Sequence, residues 1–219
     1  ALMVSAVASA AGSVYQWTNI SAGGTLLWDD PANWTLVSGP GNASGYPNAV
    51  GDTADLFEVW GATTHVGSSS DITVAKAMLG TDTGGSAFYL DGGYTLTIDN
   101  GVNLGLLTFT GGATDDARGW LQPNVILNSD TILDRTSWPG LTVTGVISGA
   151  GGVIIPGTVT QPIKYTNINT YSGDTIIQRT TASTSRTLSL TGDNGALANS
   201  KIYVPGTLEI GSTTGAGLN

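Results

Sequence analysis

Residues 141–152 read LTVTGVISGAGG, and this stretch shows the pattern that decides the fold. A short run of apolar residues alternates with Thr and passes at once into a turn rich in Gly. The same form returns in residues 94–101 (YTLTIDNG), 188–195 (LSLTGDNG) and 206–211 (GTLEIG). Short strands joined by corners of Gly and Asn are typical of a β-solenoid, in which similar residues of successive coils stack over one another.

This rhythm of strand and turn continues over residues 80–219, which we predict to form a parallel β-helix or β-solenoid. Gly makes up 32 of the 219 residues, and Gly, Thr, Ser and Asn are poor helix formers, so the expected fold class is all-β. A β-sandwich of short strands is the alternative architecture. The solenoid is preferred because long, strictly alternating strands are missing.

Residues 13–79 are predicted to form a Trp-rich β module that precedes the solenoid and contains four of the six Trp residues. Strand-like runs alternate there with loops punctuated by Pro and Gly. We expect the Trp side chains to pack in the core. A platform for carbohydrate made of Trp17, Trp28 and Trp34 is the alternative.

The segment at residues 1–12 has no charged side chain, and two interpretations of it are open. Its apolar run and small residues resemble the end of a secretory signal. As an extended strand it would be thin and apolar, either the first strand of its own domain or a strand donated to a neighbouring subunit. For a donated strand, the expected contacts are Leu2, Met3, Val4 and Val7.

The charge balance excludes several classes of protein. With 7 Lys and Arg against 16 Asp and Glu, the chain lacks the basic face that a nucleic-acid binder needs. The absence of Cys excludes disulfide scaffolds and thiol enzymes. No apolar run approaches the ~18 residues of a membrane-spanning helix. We therefore expect an acidic β protein with no nucleic-acid partner and no membrane span.

Two stretches, residues 145–152 (GVISGAGG) and 169–175 (NTYSGDT), resemble the autotransporter-associated β-strand repeat of bacterial passenger domains. Residues 153–162 (VIIPGTVTQP) depart from that repeat, because a loop interrupted by Pro replaces its short turn. The resemblance implies a bacterial protein that is secreted or displayed at the cell surface on a parallel β-helix. It implies no particular chemistry, since such β-helices serve as stalks, adhesins or scaffolds.

Chemistry-bearing groups are sparse in the sequence. His65 is the only His, and no nucleophile motif accompanies it. Neighbouring Asp residues lie in turns with Gly and Asn, where they are usually turn formers rather than the paired acids of a glycosidase. We predict no catalytic residue, no organic cofactor and no enzymatic activity.

Calcium is the one cofactor that the composition favours, because this hard cation takes carboxylate and loop carbonyl oxygens. The sequence lacks EF-hand spacing, so the prediction is either no cofactor or calcium. The candidate ligands are the turn acids Asp29, Asp30, Asp52, Asp55, Asp115 and Asp116.

Three functions remain open. The first is structural: a subunit of an extracellular bacterial fibre or surface layer that polymerises head to tail with itself by strand addition. The alternative is an adhesin or passenger-domain fragment that binds glycans or other surface ligands. The third is a polysaccharide-acting enzyme built on a β-helix.

Overall fold

The computed structural model describes residues 12–19, 25–57, 64–80, 87–110, 119–135, 140–157, 162–178, 187–191, 195–203 and 207–210. In these ranges the chain forms β-strands and one short 3-10 helix, Pro31–Asn33. No helix in these ranges is long and apolar enough to cross a membrane. The described part of the protein is therefore all-β, as the sequence predicts.

The first part of the chain contributes twelve short strands. They are β1 (Val14–Trp17), β2 (Thr25–Leu27), β3 (Trp34–Ser38), β4 (Thr53–Phe57), β5 (Thr64–Gly67), β6 (Ile72–Val74), β7 (Lys76–Gly80), β8 (Phe88–Leu90), β9 (Thr95–Ile98), β10 (Gly105–Thr110), β11 (Gly119–Leu121) and β12 (Asn124–Leu127). Alternate side chains of a strand point to opposite faces, so a strand of three residues buries two side chains or one.

The remaining strands follow the same plan. They are β13 (Thr131–Arg135), β14 (Leu141–Val143), β15 (Ile147–Gly149), β16 (Val153–Ile155), β17 (Ile163–Tyr165), β18 (Ile168–Asn169), β19 (Thr175–Ile177), β20 (Thr187–Leu190), β21 (Ala196–Leu197), β22 (Ile202–Tyr203) and β23 (Thr207–Ile210). Several have one outward residue between two buried ones, as in β14, β16 and β19.

The strands stack into three main sheets, which we call the first, second and third sheets. The first has the order β22-β19-β16-β13-β10-β7-β4-β1-β3, the second β2-β5-β8-β11-β14-β17-β20-β23, and the third β15-β12-β9-β6. A small fourth sheet pairs β18 with β21. Every described pairing is parallel except β1 with β3. Stacked parallel coils are a β-solenoid, so the predicted fold is confirmed and the β-sandwich is not adopted.

The coil length is regular in the middle of the solenoid. Thr131 pairs with Val153, and Val153 pairs with Thr175, so the partner on the next coil lies 22 residues further along the chain. Earlier coils are longer, since Lys76 pairs with Leu106 in the same sheet. Longer coils place their extra residues between strands and leave the pairing intact.

The core consists of apolar side chains that stack from coil to coil. Leu96 pairs with Ile72 on one side and with Val125 on the other, and all three are buried. In this column each inward side chain packs against a similar one above and below it. At about 25 cal/mol per Å² of buried apolar surface, this column of side chains is the main stabilising contribution.

The aromatic residues of the first coil pack inside the protein. Trp17 and Trp34 meet edge to face with ring centroids 4.9 Å apart, and Trp28 lies 5.3 Å from Trp34. The indole nitrogen of Trp28 donates to the carbonyl of Pro47 at 3.0 Å. The three indoles are buried, so the expected core role is correct and the carbohydrate platform of these Trp residues is wrong.

The motif at residues 145–152 brings two coils together closely. A Cβ at Gly145 would lie 1.8 Å from the carbonyl oxygen of Pro123 on the preceding coil. Gly149 has φ +107°, and a Cβ there would lie 2.3 Å from the carbonyl oxygen of Leu127. Only Gly fits this approach of backbone to backbone, which explains the motif in structural terms.

The motif at residues 169–175 forms a buried polar corner. The Asn169 Oδ1 accepts from the Ile147 amide at 2.7 Å, while its Nδ2 donates to the carbonyls of Asn167 and Ala196. The hydroxyls of Tyr171 and Thr175 share a hydrogen bond of 2.6 Å. The motif therefore joins successive coils, and the resemblance to the autotransporter repeat stays a prediction.

Pairing continues without a break across the boundary expected at residue 80. Strands β4 and β7 lie in the same sheet as β10, and β5 lies in the same sheet as β8. The division into residues 13–79 and 80–219 stays a prediction. So does the donated strand of residues 1–12, because its contacts Leu2, Met3, Val4 and Val7 lie outside the described residues.

Candidate functional site

A row of three rings lies on the outer surface of the second sheet. His65 of β5 pairs in register with Tyr89 of β8, and Tyr89 pairs with Trp120 of β11. The residues beside each ring in its strand point inward and are buried, so the rings point outward. The parallel pairing thus places one ring on each of three consecutive coils.

The three rings are stacked face to face. The ring centroids of His65 and Tyr89 are 4.3 Å apart with an interplanar angle of 5°. Those of Tyr89 and Trp120 are 4.4 Å apart with an angle of 9°. These separations are close to the ~4.8 Å spacing between neighbouring strands, so the sheet itself sets the stacking distance. Stacked aromatic pairs are worth about 0.5–1.5 kcal/mol beyond their burial.

A carboxylate fixes the orientation of the imidazole at one end of the stack. The Nδ1 of His65 and the Oδ1 of Asp91 are 2.9 Å apart. The two side chains are 40 % and 25 % exposed, so water screens the pair and its contribution to stability is small. The effect of Asp91 is therefore to hold the imidazole parallel to Tyr89.

At the other end of the stack, the indole of Trp120 has a face turned away from Tyr89. The next residues in the row are Thr142 of β14 and Lys164 of β17. Thr142 is too short to cover an indole, whereas the exposed Lys164 reaches outward from the following coil. We call the space above Thr142, bounded by Trp120 and Lys164, the Trp120–Lys164 gap.

A second row of polar residues lies two positions further along the chain, each directly after the last residue of its strand. It consists of Asp91, Gln122, Thr144 and Thr166, each linked to the preceding coil by its backbone amide. The contact of Asp91 with His65 shows that this row borders the rings. Together the two rows form what we call the ladder face, which combines ring surfaces with amide and hydroxyl groups.

Comparison with known proteins identifies no relative. The chain matches no protein-family model, no curated protein and no solved structure at a significant level.

The acids predicted as calcium ligands have structural partners where the structure describes them. Asp52 is buried, and its carboxylate accepts from the Ser13 amide at 2.9 Å, the Asn42 side-chain amide at 2.7 Å and the Asn48 amide at 3.2 Å. These bonds tie the long loop before β4 to β1. The geometry at Asp52 is that of a loop anchor.

Asp29 and Asp30 also hold local structure. Burial alone would raise the pKa of Asp29, but hydrogen bonds from Ser69 and Ser70 outweigh it and leave that pKa below its ordinary value. Asp30 caps the 3-10 helix by accepting from the Ala32 amide at 2.9 Å.

Of the remaining calcium candidates, the structure describes one. Asp55 lies in the first sheet in register with Gln16 and Met78, while Asp115 and Asp116 lie outside the described residues. Within the described ranges, no three His, Asp or Glu side chains come together as a metal site would require. Calcium binding stays a prediction.

Sequence reasoning singled out His65 but missed the rings that stack on it. The signal was present in residues 88–90 (FYL) and 119–121 (GWL), where an aromatic side chain stands between two residues that face the core. Recognising the stack requires knowing which coil positions pair, and the pairing becomes visible only in the folded protein.

Proposed function

We propose that this protein is a β-solenoid scaffold that binds polysaccharide on its ladder face. One observation carries the proposal: among the residues that the structure describes, the stack of His65, Tyr89 and Trp120 ends in an indole face without a further ring beside it. Sugars present C–H groups on their ring faces and hydroxyl groups at their edges. A flat indole beside amide and hydroxyl groups matches both features.

The arrangement supports binding better than it supports hydrolysis. Hydrolysis of a glycosidic bond generally needs two placed acids, one of them free to donate a proton. Asp91 is the carboxylate beside the rings, and its contact with His65 gives it an orienting role. We therefore propose an adhesin-like binding protein rather than a polysaccharide-acting enzyme.

The test is binding to a panel of soluble polysaccharides by affinity electrophoresis. Trp120→Ala is expected to weaken binding about tenfold, because it removes the aromatic surface on which the sugar ring would lie, and Trp is among the residues whose loss costs most at binding sites. Ile132→Ala is the matched control, because it shortens an outward side chain on the first sheet and leaves the ladder face intact. A panel without a binder, or equal binding by Trp120→Ala and wild type, would refute the proposal.

A second candidate function is the fibre subunit, which has its own supporting observation. Strand β3 is the outermost strand of the first sheet, and its Leu36 and Val37 side chains are 45 % and 58 % exposed. Sheet edges with exposed apolar residues are templates for pairing with another chain. In this proposal a second copy adds head to tail, with residues 1–12 as the donated strand, in a fibre at the bacterial cell surface.

Sedimentation velocity and negative-stain imaging of the purified protein test the fibre proposal. Because a head-to-tail contact does not close on itself, a fibre subunit should form open-ended polymers. Deletion of residues 1–12 should leave a folded monomer that binds the added 1–12 peptide. Filaments formed by the deletion variant would overturn the donated strand.

A further inference from the structure

The Trp120–Lys164 gap is sized for one additional ring. Parallel pairing places Thr142 one strand spacing from Trp120 and Lys164 two spacings from it, which is about 10 Å. A ring that stacked on Trp120 as closely as Tyr89 does would lie at the level of Thr142. Such a ring would extend the stack of His65, Tyr89 and Trp120 by one ring and would lie beside Lys164.

The chemistry of the gap restricts the ring that fits. The indole favours a sugar whose substituents are all equatorial, since both faces of such a ring then consist of C–H groups. Gln122 and Thr144 of the second row directly follow the strands of Trp120 and Thr142, so a hydroxyl and an amide side chain are close along the chain to the gap. These features favour a β-1,4-linked chain of glucose type, which is flat and extended.

Lys164 adds a preference for an acidic sugar. An ammonium attracts a carboxylate more strongly than a neutral hydroxyl, because the two groups carry opposite charges. The whole chain has a formal charge of −9, so its overall field repels an acidic polymer. Any preference for a carboxylate must therefore come from a local cation, and Lys164 lies at the gap.

We propose that the Trp120–Lys164 gap binds one ring of a β-1,4-linked uronic acid chain, with the ring on the indole of Trp120 and its carboxylate paired with the ammonium of Lys164. This inference rests on the proposed function, because it specifies the ligand of the same face. It also fixes the stoichiometry at one ring per chain in this gap.

The experiment compares two ligands that differ only at C6. Oligosaccharides of β-1,4-linked glucuronic acid and cello-oligosaccharides of the same length are titrated into the wild-type protein by calorimetry. We expect the acidic ligand to bind about two- to fivefold more tightly, because Lys164 is exposed and water screens its ion pair. Lys164→Gln should lose that preference and keep its affinity for the neutral ligand, while Lys201→Gln, at an exposed site before β22, should behave as wild type.

A further variant tests where the sugar ring binds, independently of the carboxylate that it carries. Thr142→Tyr places a ring of the protein in the gap and should block both ligands without unfolding the sheet, because position 142 faces outward and Tyr favours strands. Equal affinity of wild type for both ligands, or a preference that survives in Lys164→Gln, overturns this inference and leaves polysaccharide binding standing. Binding of neither ligand by wild type overturns this inference, and the panel described above decides the broader proposal separately.

Discussion

Replacing Asn169 by Ala tests how strongly one buried side chain holds successive coils together. Asn169 is 1 % exposed, and its Oδ1 accepts from the amide of Ile147 on the preceding coil. Its Nδ2 donates to the carbonyl of Ala196 on the following coil at 3.4 Å and to that of Asn167 at 3.0 Å. The substitution removes all of these bonds at once and leaves the Ile147 amide without its partner.

The expected loss in the free energy of unfolding is about 3 kcal/mol. A buried amide left unsatisfied costs about 1–3 kcal/mol, and the two donated bonds add about 0.5–1.5 kcal/mol each, with the longer one at the low end. Asn199→Ala is the matched control, since this exposed residue loses only its bond to the Thr170 carbonyl. We expect that control to lose less than about 1 kcal/mol.

The measurement is urea-induced unfolding near neutral pH, followed by circular dichroism, with the slope compared between variants. A second variant, Asn169→Asp, keeps an acceptor for the Ile147 amide but loses both donated bonds and buries a charge, so it should be destabilised as well. If Asn169→Ala and Asn199→Ala lost the same free energy, the corner would contribute no more than an exposed side chain and the reasoning would fail.

Three further substitutions test other parts of the fold. Leu96→Ala, in the core of the third sheet, should lower the unfolding free energy by about 2–5 kcal/mol in the same urea assay, and a loss under 1 kcal/mol would contradict the stacked core. Gly145→Ala should lower the thermal midpoint, because its Cβ would collide with the Pro123 carbonyl; an unchanged midpoint would show that the coils can separate there. The lowered pKa of Asp29 stabilises the fold above the pKa of the unfolded chain, and this stability is lost as the pH falls through the lower folded value. Asp29→Asn should therefore reduce the acid dependence of unfolding below about pH 4, where the carboxyl of the unfolded chain takes up its proton before that of the folded protein, and identical profiles would contradict the role of Ser69.

The solenoid could be predicted from the sequence because its determinants are local. Gly145 and Gly149 lie within one short motif, and each is required by a backbone approach that recurs at a coil corner. The same holds for the polar corner around Asn169, whose motif residues are adjacent in the chain. Such motifs can be recognised in the sequence without knowing which residues of the next coil they contact.

The ladder face could not be predicted because it depends on pairing between coils of unequal length. Tyr89 follows its partner His65 by 24 residues, whereas Trp120 follows Tyr89 by 31. No fixed period aligns these positions in the sequence. The core role of Trp17 and Trp28 was predictable, because both are large apolar side chains, and both are buried.

Because the middle coils pair at a regular interval, one whole coil could be removed or added without changing how the other strands pair. Thr131 lies between Gly105 and Val153 in the first sheet, and Thr142 lies between Trp120 and Lys164 in the second. Removing residues 131–152 would bring the next coil into the vacated register on both sheets at once. Trp120 and Lys164 would then become direct neighbours, so an insertion or loss of one such coil would retune the ligand spacing by one strand width and leave the rest of the fold in place.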